Sequence, residues 1–184
     1  MDSTTKRIAI NYGLIVSAVA VGYTLISYIV NEAWLSSQAG GIFMLLAMLV
    51  IPYFGVREFK KANDGYATFR EAFSAYVLPL IVSAVVGLAF NWLMHNVIDS
   101  ELATRMGERV YERFAEMPEE QRKGVMAFMG AANEAELKAE SIKMTVDQTT
   151  ITGMLKSTGA GIIMYAIVGL IVGAVAKKNR PEFQ

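Results

Sequence analysis

The chain contains no cysteine, which excludes disulfides and thiolate chemistry alike. Its single histidine, His95, rules out any multi-histidine metal site. A formal net charge of zero removes bulk attraction to nucleic acid. The most informative lack is local. No Asp, Glu, Lys or Arg lies within 8–30, 39–56, 72–98 or 157–176. Each run has at least 18 residues, enough for a helix to cross a hydrocarbon core of about 30 Å at about 1.5 Å per residue. The chain therefore reads as all-α and integral to a membrane. Residues 1–184 form a single domain, a four-helix transmembrane bundle whose immediate partner is the lipid bilayer.

The charges that are present sit elsewhere. The composition is 54% hydrophobic with mean hydropathy +0.37, yet 99–156 alone carries eleven acidic and eight basic residues. That segment is expected to be an extramembrane helical insertion between spans three and four. Basic residues orient the bundle. Lys6 and Arg7 precede the first span. Arg57, Lys60, Lys61 and Arg70 fill the second loop, and Lys177, Lys178 and Arg180 follow the last span. The first loop has no basic residue and carries Glu32. Four spans place the three basic segments on one side, so both termini are expected to be cytoplasmic in a bacterial inner membrane. Segment 99–156 is then extracytoplasmic. Trp34, Trp92 and Tyr28 fall near the outer ends of their spans, where amphipathic rings favour the headgroup level.

The first run opens like a signal peptide, with Lys6 and Arg7 ahead of it and the small-residue pattern Ala18-Val19-Ala20 within it. Apolar residues nevertheless continue to Val30, past the about 7–15 residues of a signal core. Retention as a span is expected, and cleavage is the alternative.

The run Asp64-Gly65-Tyr66-Ala67-Thr68-Phe69-Arg70-Glu71-Ala72-Phe73 resembles the signature of a bacterial membrane-protein family catalogued as domain of unknown function 4199. In that family a Gly-rich turn and an aliphatic-Thr-Phe-x-Glu-Ala-Phe run enter a span. Thr68, Phe69, Glu71, Ala72 and Phe73 match, and Gly65 supplies the turn. Ala67 stands where a larger aliphatic residue is usual. Ile98-Asp99 and the basic tail Lys177-Lys178-Asn179-Arg180-Pro181 are similar as well. The resemblance implies a four-span membrane protein with no known activity. The run also has a plain physical reading. Asp64-Gly65 is a turn dipeptide. Thr68 and Glu71 have the spacing of a capping box, which starts a helix by satisfying orphan N–H groups. Tyr66 and Phe69 would then be interface aromatics.

Within the last span Gly161, Gly169 and Gly173 lie in one row, with Ser157 continuing it, a pattern that lets helices approach closely. Packing inside the bundle is the first expectation and homo-oligomerisation the second. Ala18 to Gly22 and Ser83 to Gly87 offer comparable faces. Pro52 and Pro79 interrupt spans two and three, as in some transporter helices. No ionisable residue lies deep in a span, however, and ion relays ordinarily need one. Asn91, His95 and Asp99 fall at i, i+4 and i+8, a weak polar stripe near the outer end of span three.

In the insertion, Leu102, Met106, Val110, Phe114 and Met117 make one apolar helical face. Pro118 ends or restarts the helix. A second helix is expected over about 119–132 from its Val125, Met126, Phe128 and Met129 pattern. Asn133 and Glu136 read as a further N-cap pair, after which the helical pattern runs towards the last span. These features predict a noncatalytic membrane protein whose extracytoplasmic helices serve interaction or assembly, through a protein partner or a second copy. The alternative is a small passive transporter or channel subunit. No catalytic, cofactor-binding or metal-ligating set is visible, so no enzyme activity and no cofactor are expected.

Overall fold

The computed structural model describes residues 3–180. Seven α-helices follow one another among them: α1 (Ser3–Val30), α2 (Gln38–Ala62), α3 (Phe69–Leu93), α4 (Leu102–Ala115), α5 (Glu119–Met129), α6 (Glu134–Thr149) and α7 (Ile151–Ala176). A 3₁₀ helix, Glu32–Ser36, follows α1, and a π turn, Met94–Ile98, extends α3. The described residues form no strand, only an isolated bridge between Ala67 and Lys178. Four helices are long and apolar enough to cross a membrane: α1, α2, α3 with its π turn, and α7. Their apolar side chains mostly face outwards. Only 11% of the most apolar window of α7 is buried, and Val175 is 82% exposed. Apolar exposure on that scale suits lipid, not water.

The contacts divide the chain into two units. The first takes the described residues of 1–23, 42–88 and 158–184. Its core gathers Ile8, Val56, Phe59, Ala72, Tyr76 and Leu80, with Tyr165, Val168 and Val172 of α7 packed against them. Pro52 lacks an N–H, so α2 loses its bond to the Met48 carbonyl. Two tyrosines bring hydroxyls to this weakened stretch. Tyr76 donates to the Leu49 carbonyl at 3.3 Å and Tyr165 to Met48 Sδ at 3.1 Å. Pro52 and Pro79 are themselves fully buried within continuous helices.

Glycines decide where these helices meet. A Cβ on Gly169 would lie 2.7 Å from Val77, and one on Gly173 would lie 3.1 Å from Phe69. The expected row is incomplete, however. Gly161 has nothing within 4 Å of its Cβ position, and neither do Gly22 and Gly87. Comparably close approaches in this unit come from two glycines outside that row. A Cβ on Gly13 would meet Val82 at 2.6 Å and the Pro79 carbonyl at 2.8 Å, and one on Gly55 would meet Ile8 at 3.1 Å. Small-residue spacing marks faces that can approach, and packing elsewhere in the core selects which of them do.

The second unit takes 24–41 and 89–157. Here α4 packs on α6 and against the 3₁₀ helix, and α5 touches both α4 and α6. Gly107 permits the α4–α6 contact, because a Cβ there would fall 2.6 Å from the Ile142 Cα. Helix α5 stops earlier than its apolar pattern predicts. Gly130, at φ 72°, adopts the left-handed conformation that ends a helix. Asn133 Oδ1 accepts from the Glu136 N–H at 2.9 Å and starts α6. No continuous helix runs from α6 into the last span. Thr150 is extended, and its hydroxyl donates to the Asp147 carbonyl at 2.7 Å while accepting the Gly153 N–H at 3.0 Å. That hydroxyl offers both helix ends partners the continuous helix would otherwise supply, so the chain breaks and α7 begins at Ile151.

Candidate functional site

The family-like run lies in the loop from α2 to α3 and structures it locally. Asp64 and Gly65 take positive φ, 56° and 84°, and the Gly65 N–H donates to the Lys60 carbonyl at 2.7 Å, closing α2. The Thr68 N–H donates to Glu71 Oε2 at 2.8 Å, while the Glu71 N–H donates to Thr68 Oγ1 at 3.3 Å. Between these two devices, Ala67 is buried and exchanges both backbone hydrogen bonds with Lys178, at 3.0 and 2.8 Å. A small side chain therefore suits the closed-in position that Ala67 holds. Lys178 Nζ lies 5.0 Å from the Tyr66 ring centroid. Phe69 packs against Gly173 and stacks near Phe73 at 6.2 Å, so it serves packing as well as the surface. Pro181 of the tail lies outside the described residues.

A second constellation belongs to the other unit. Asn31 Oδ1 accepts from the Ala33 N–H at 3.0 Å and starts the 3₁₀ helix with Glu32 in its first turn. The π turn inserts an extra residue into the end of span three. Its closing bond runs from the Asp99 N–H to the Met94 carbonyl, 2.8 Å. Asp99 then turns into extended backbone, and its Oδ1 accepts the Glu101 N–H at 3.1 Å just before α4. Arg105, in the second turn of α4, forms paired hydrogen bonds with each of two carboxylates. Its Nη2 and Nη1 donate to Asp99 at 2.6 and 3.3 Å, and its Nη2 and Nε donate to Glu32 at 2.8 and 3.1 Å. The Tyr28 hydroxyl donates to Asp99 Oδ2 at 3.0 Å, and Arg109 lies 3.9 Å from Glu32.

Of the expected Asn91–His95–Asp99 stripe, Asp99 lies beyond the π turn. There it bonds to Arg105 and Tyr28. His95 Nδ1 and Ser27 Oγ are buried without a hydrogen-bond partner. The hydrogen bonds from Arg105 hold the Asp99 carboxyl down at about 2. The same guanidinium lowers Glu32, and the two carboxylates in turn raise Arg105. Both acids are therefore ionised and fully engaged at neutral pH, and neither is poised as a general base. Among the described residues, no three His, Asp or Glu side chains converge to hold a metal.

Four helices long and apolar enough to span a membrane, carrying a helical insertion tied by a charge cluster, define a membrane-type helical bundle. The chain belongs to the family described as protein of unknown function (DUF4199), which matches residues 11–178. No curated protein and no solved structure matches it.

Proposed function

We propose that the protein is a noncatalytic component of a bacterial inner membrane, with both termini cytoplasmic and 99–156 outside as an interaction or assembly element. The exposure of Phe128, 90%, carries this reading. Helix α5 contains no buried residue, yet it is anchored. The Arg122 guanidinium donates to the Ala115 carbonyl at 3.0 Å and pairs with Glu134 at 2.9 Å. An aromatic ring held in water on a tethered helix is apolar area that a partner could cover, at about 25 cal/mol per Å². Val125, Met126 and Met129 on the same short helix add adaptable apolar contact. The charge cluster supports the noncatalytic part, because its acids are spent on one arginine.

The test is site-specific photo-crosslinking in intact cells, with a benzophenone amino acid at Phe128 and, as control, at Glu120. A discrete adduct from 128 alone is expected. An adduct of twice the 20.2 kDa chain would identify a second copy as the partner. No adduct at 128, or the same ladder from 120, would overturn the interaction role.

A further inference from the structure

The first unit carries a groove of about 510 Å³ between the last turns of α2 and α7. Its chemistry is divided. Arg57, Lys60 and Lys61 line one part, and Ile171 and Val175 line another, with Tyr53 also on the wall. Ile171 is 63% exposed and Val175 82% exposed, on a helix apolar enough to lie in lipid.

We propose that this groove seats one anionic glycerophospholipid, its phosphate against Arg57, Lys60 and Lys61 and an acyl chain along Ile171 and Val175. Charge complementarity carries the choice of occupant. None of the three cations forms an ion pair with a carboxylate among the described residues. The neighbouring acid, Glu58, already accepts from the Tyr12 hydroxyl at 2.9 Å and lies 3.6 Å from Arg7. Lys60 is pre-positioned, because its Nζ donates to the Ala176 carbonyl at 2.9 Å at the C-terminus of α7. That bond leaves two of the three ammonium N–H groups for an anion. Arg57 sits 5.9 Å from the Phe54 ring, which orients the guanidinium without neutralising it. A soluble phosphate would use the cations and leave the apolar wall bare. A phospholipid uses both.

Native mass spectrometry of the whole protein released from detergent tests this. Phosphatidylglycerol and phosphatidylcholine of identical acyl chains are the probes, with inorganic phosphate as a third arm. The variant is Arg57→Gln with Lys61→Gln; Lys60 is left intact because it caps α7. Wild type should retain one phosphatidylglycerol in preference to phosphatidylcholine. The double variant should weaken that binding by about 25-fold, at about fivefold per cation. Lys6→Gln with Arg70→Gln removes equal charge from basic segments outside the groove and should leave the preference unchanged. Equal retention of both lipids, an unaltered double variant, an equal loss in the control pair, or displacement of the lipid by phosphate would each overturn the site.

Discussion

Arg105 Nη2 lies 2.6 Å from Asp99 Oδ2 and, at the same time, 2.8 Å from Glu32 Oε1. One guanidinium therefore joins the residue that follows the π turn to the first residue of the 3₁₀ helix, within a single unit. Planar, bidentate geometry makes arginine the fit here, since a lysine ammonium cannot present two parallel forks. The paired charges of the cluster favour the ionised form of both acids, since Arg105 is the largest cause that lowers each of them.

Replacing that partner should therefore cost more than an ordinary surface pair. Arg105→Gln leaves two carboxylates facing each other with Arg109 as the one remaining cation near them. The expected loss is about 1–3 kcal/mol, the range for hydrogen bonds to charged groups, trimmed because the Arg105 side chain is 35% exposed. Thermal unfolding in detergent measures it. Arg105→Lys should recover only part of the loss. Full recovery by lysine would show that charge alone matters and that the bidentate geometry does not.

The same cluster sets an acid limit. Asp99 titrates at about 2 in the folded chain against an ordinary 3.8, and Glu32 is also lowered. A depressed folded value means the unfolded chain takes up protons first as pH falls. The stabilisation is thus whole at neutral pH, begins to fade near the ordinary carboxyl value of about 4, and is gone below about 2. Melting temperature followed from pH 7 downwards should stay level until that window and then drop. Asp99→Asn should start lower at neutral pH and show a shallower drop. Parallel curves for the two proteins would remove Asp99 from the acid response.

Glycines on α7 offer a cleaner contrast. Gly169→Leu should destabilise by about 1–3 kcal/mol, the range for overpacking, since its first carbon already falls 2.7 Å from Val77. Gly161→Leu should leave bundle stability unchanged, because nothing lies within 4 Å of that position. A fall in oligomer size for Gly161→Leu, by size exclusion with light scattering, would assign Gly161 to self-association. Loss of monomer stability at 161 would contradict the packing described here.

What the sequence makes legible follows from the range of each interaction. Lipid demands long uncharged runs, so the spanning helices are written in the chain as runs. The Thr68–Glu71 and Asn133–Glu136 pairs act over three residues, and spacing alone displays them. Arg105 and Glu32 are 73 residues apart, and Tyr28 and Asp99 are 71 apart. No local pattern pairs them, although Glu32 is the lone charge of its loop. The π turn at Met94–Ile98 has no composition signal, and Asp99 just beyond it bonds to Arg105 and Tyr28. The break at Thr150 lacks proline, so the helical period hides it. Gly13 and Gly55 look like any other small residues until the opposing helix is in place.

Membrane orientation remains the claim that most of the functional proposal depends on, and the chain is well suited to testing it. With no native cysteine, a single introduced thiol reports one position. Glu119→Cys probes the start of α5, where the side chain is 69% exposed and pairs only with Lys123 one turn on. Arg180→Cys probes the basic tail, 65% exposed and 3.8 Å from Asp64. Both sites should react freely in detergent, which checks accessibility. In intact spheroplasts a membrane-impermeant maleimide should label position 119 and spare position 180, with the latter labelled only after lysis. The positive-inside distribution requires this order, since 99–156 is acid-rich while both tails and the second loop are basic. The reverse order would place the helical insertion in the cytoplasm and withdraw the extracytoplasmic role of Phe128. Labelling of both sites before lysis would mean that no span, or an even number, lies between them, and α7 would then lose its assignment as a membrane helix.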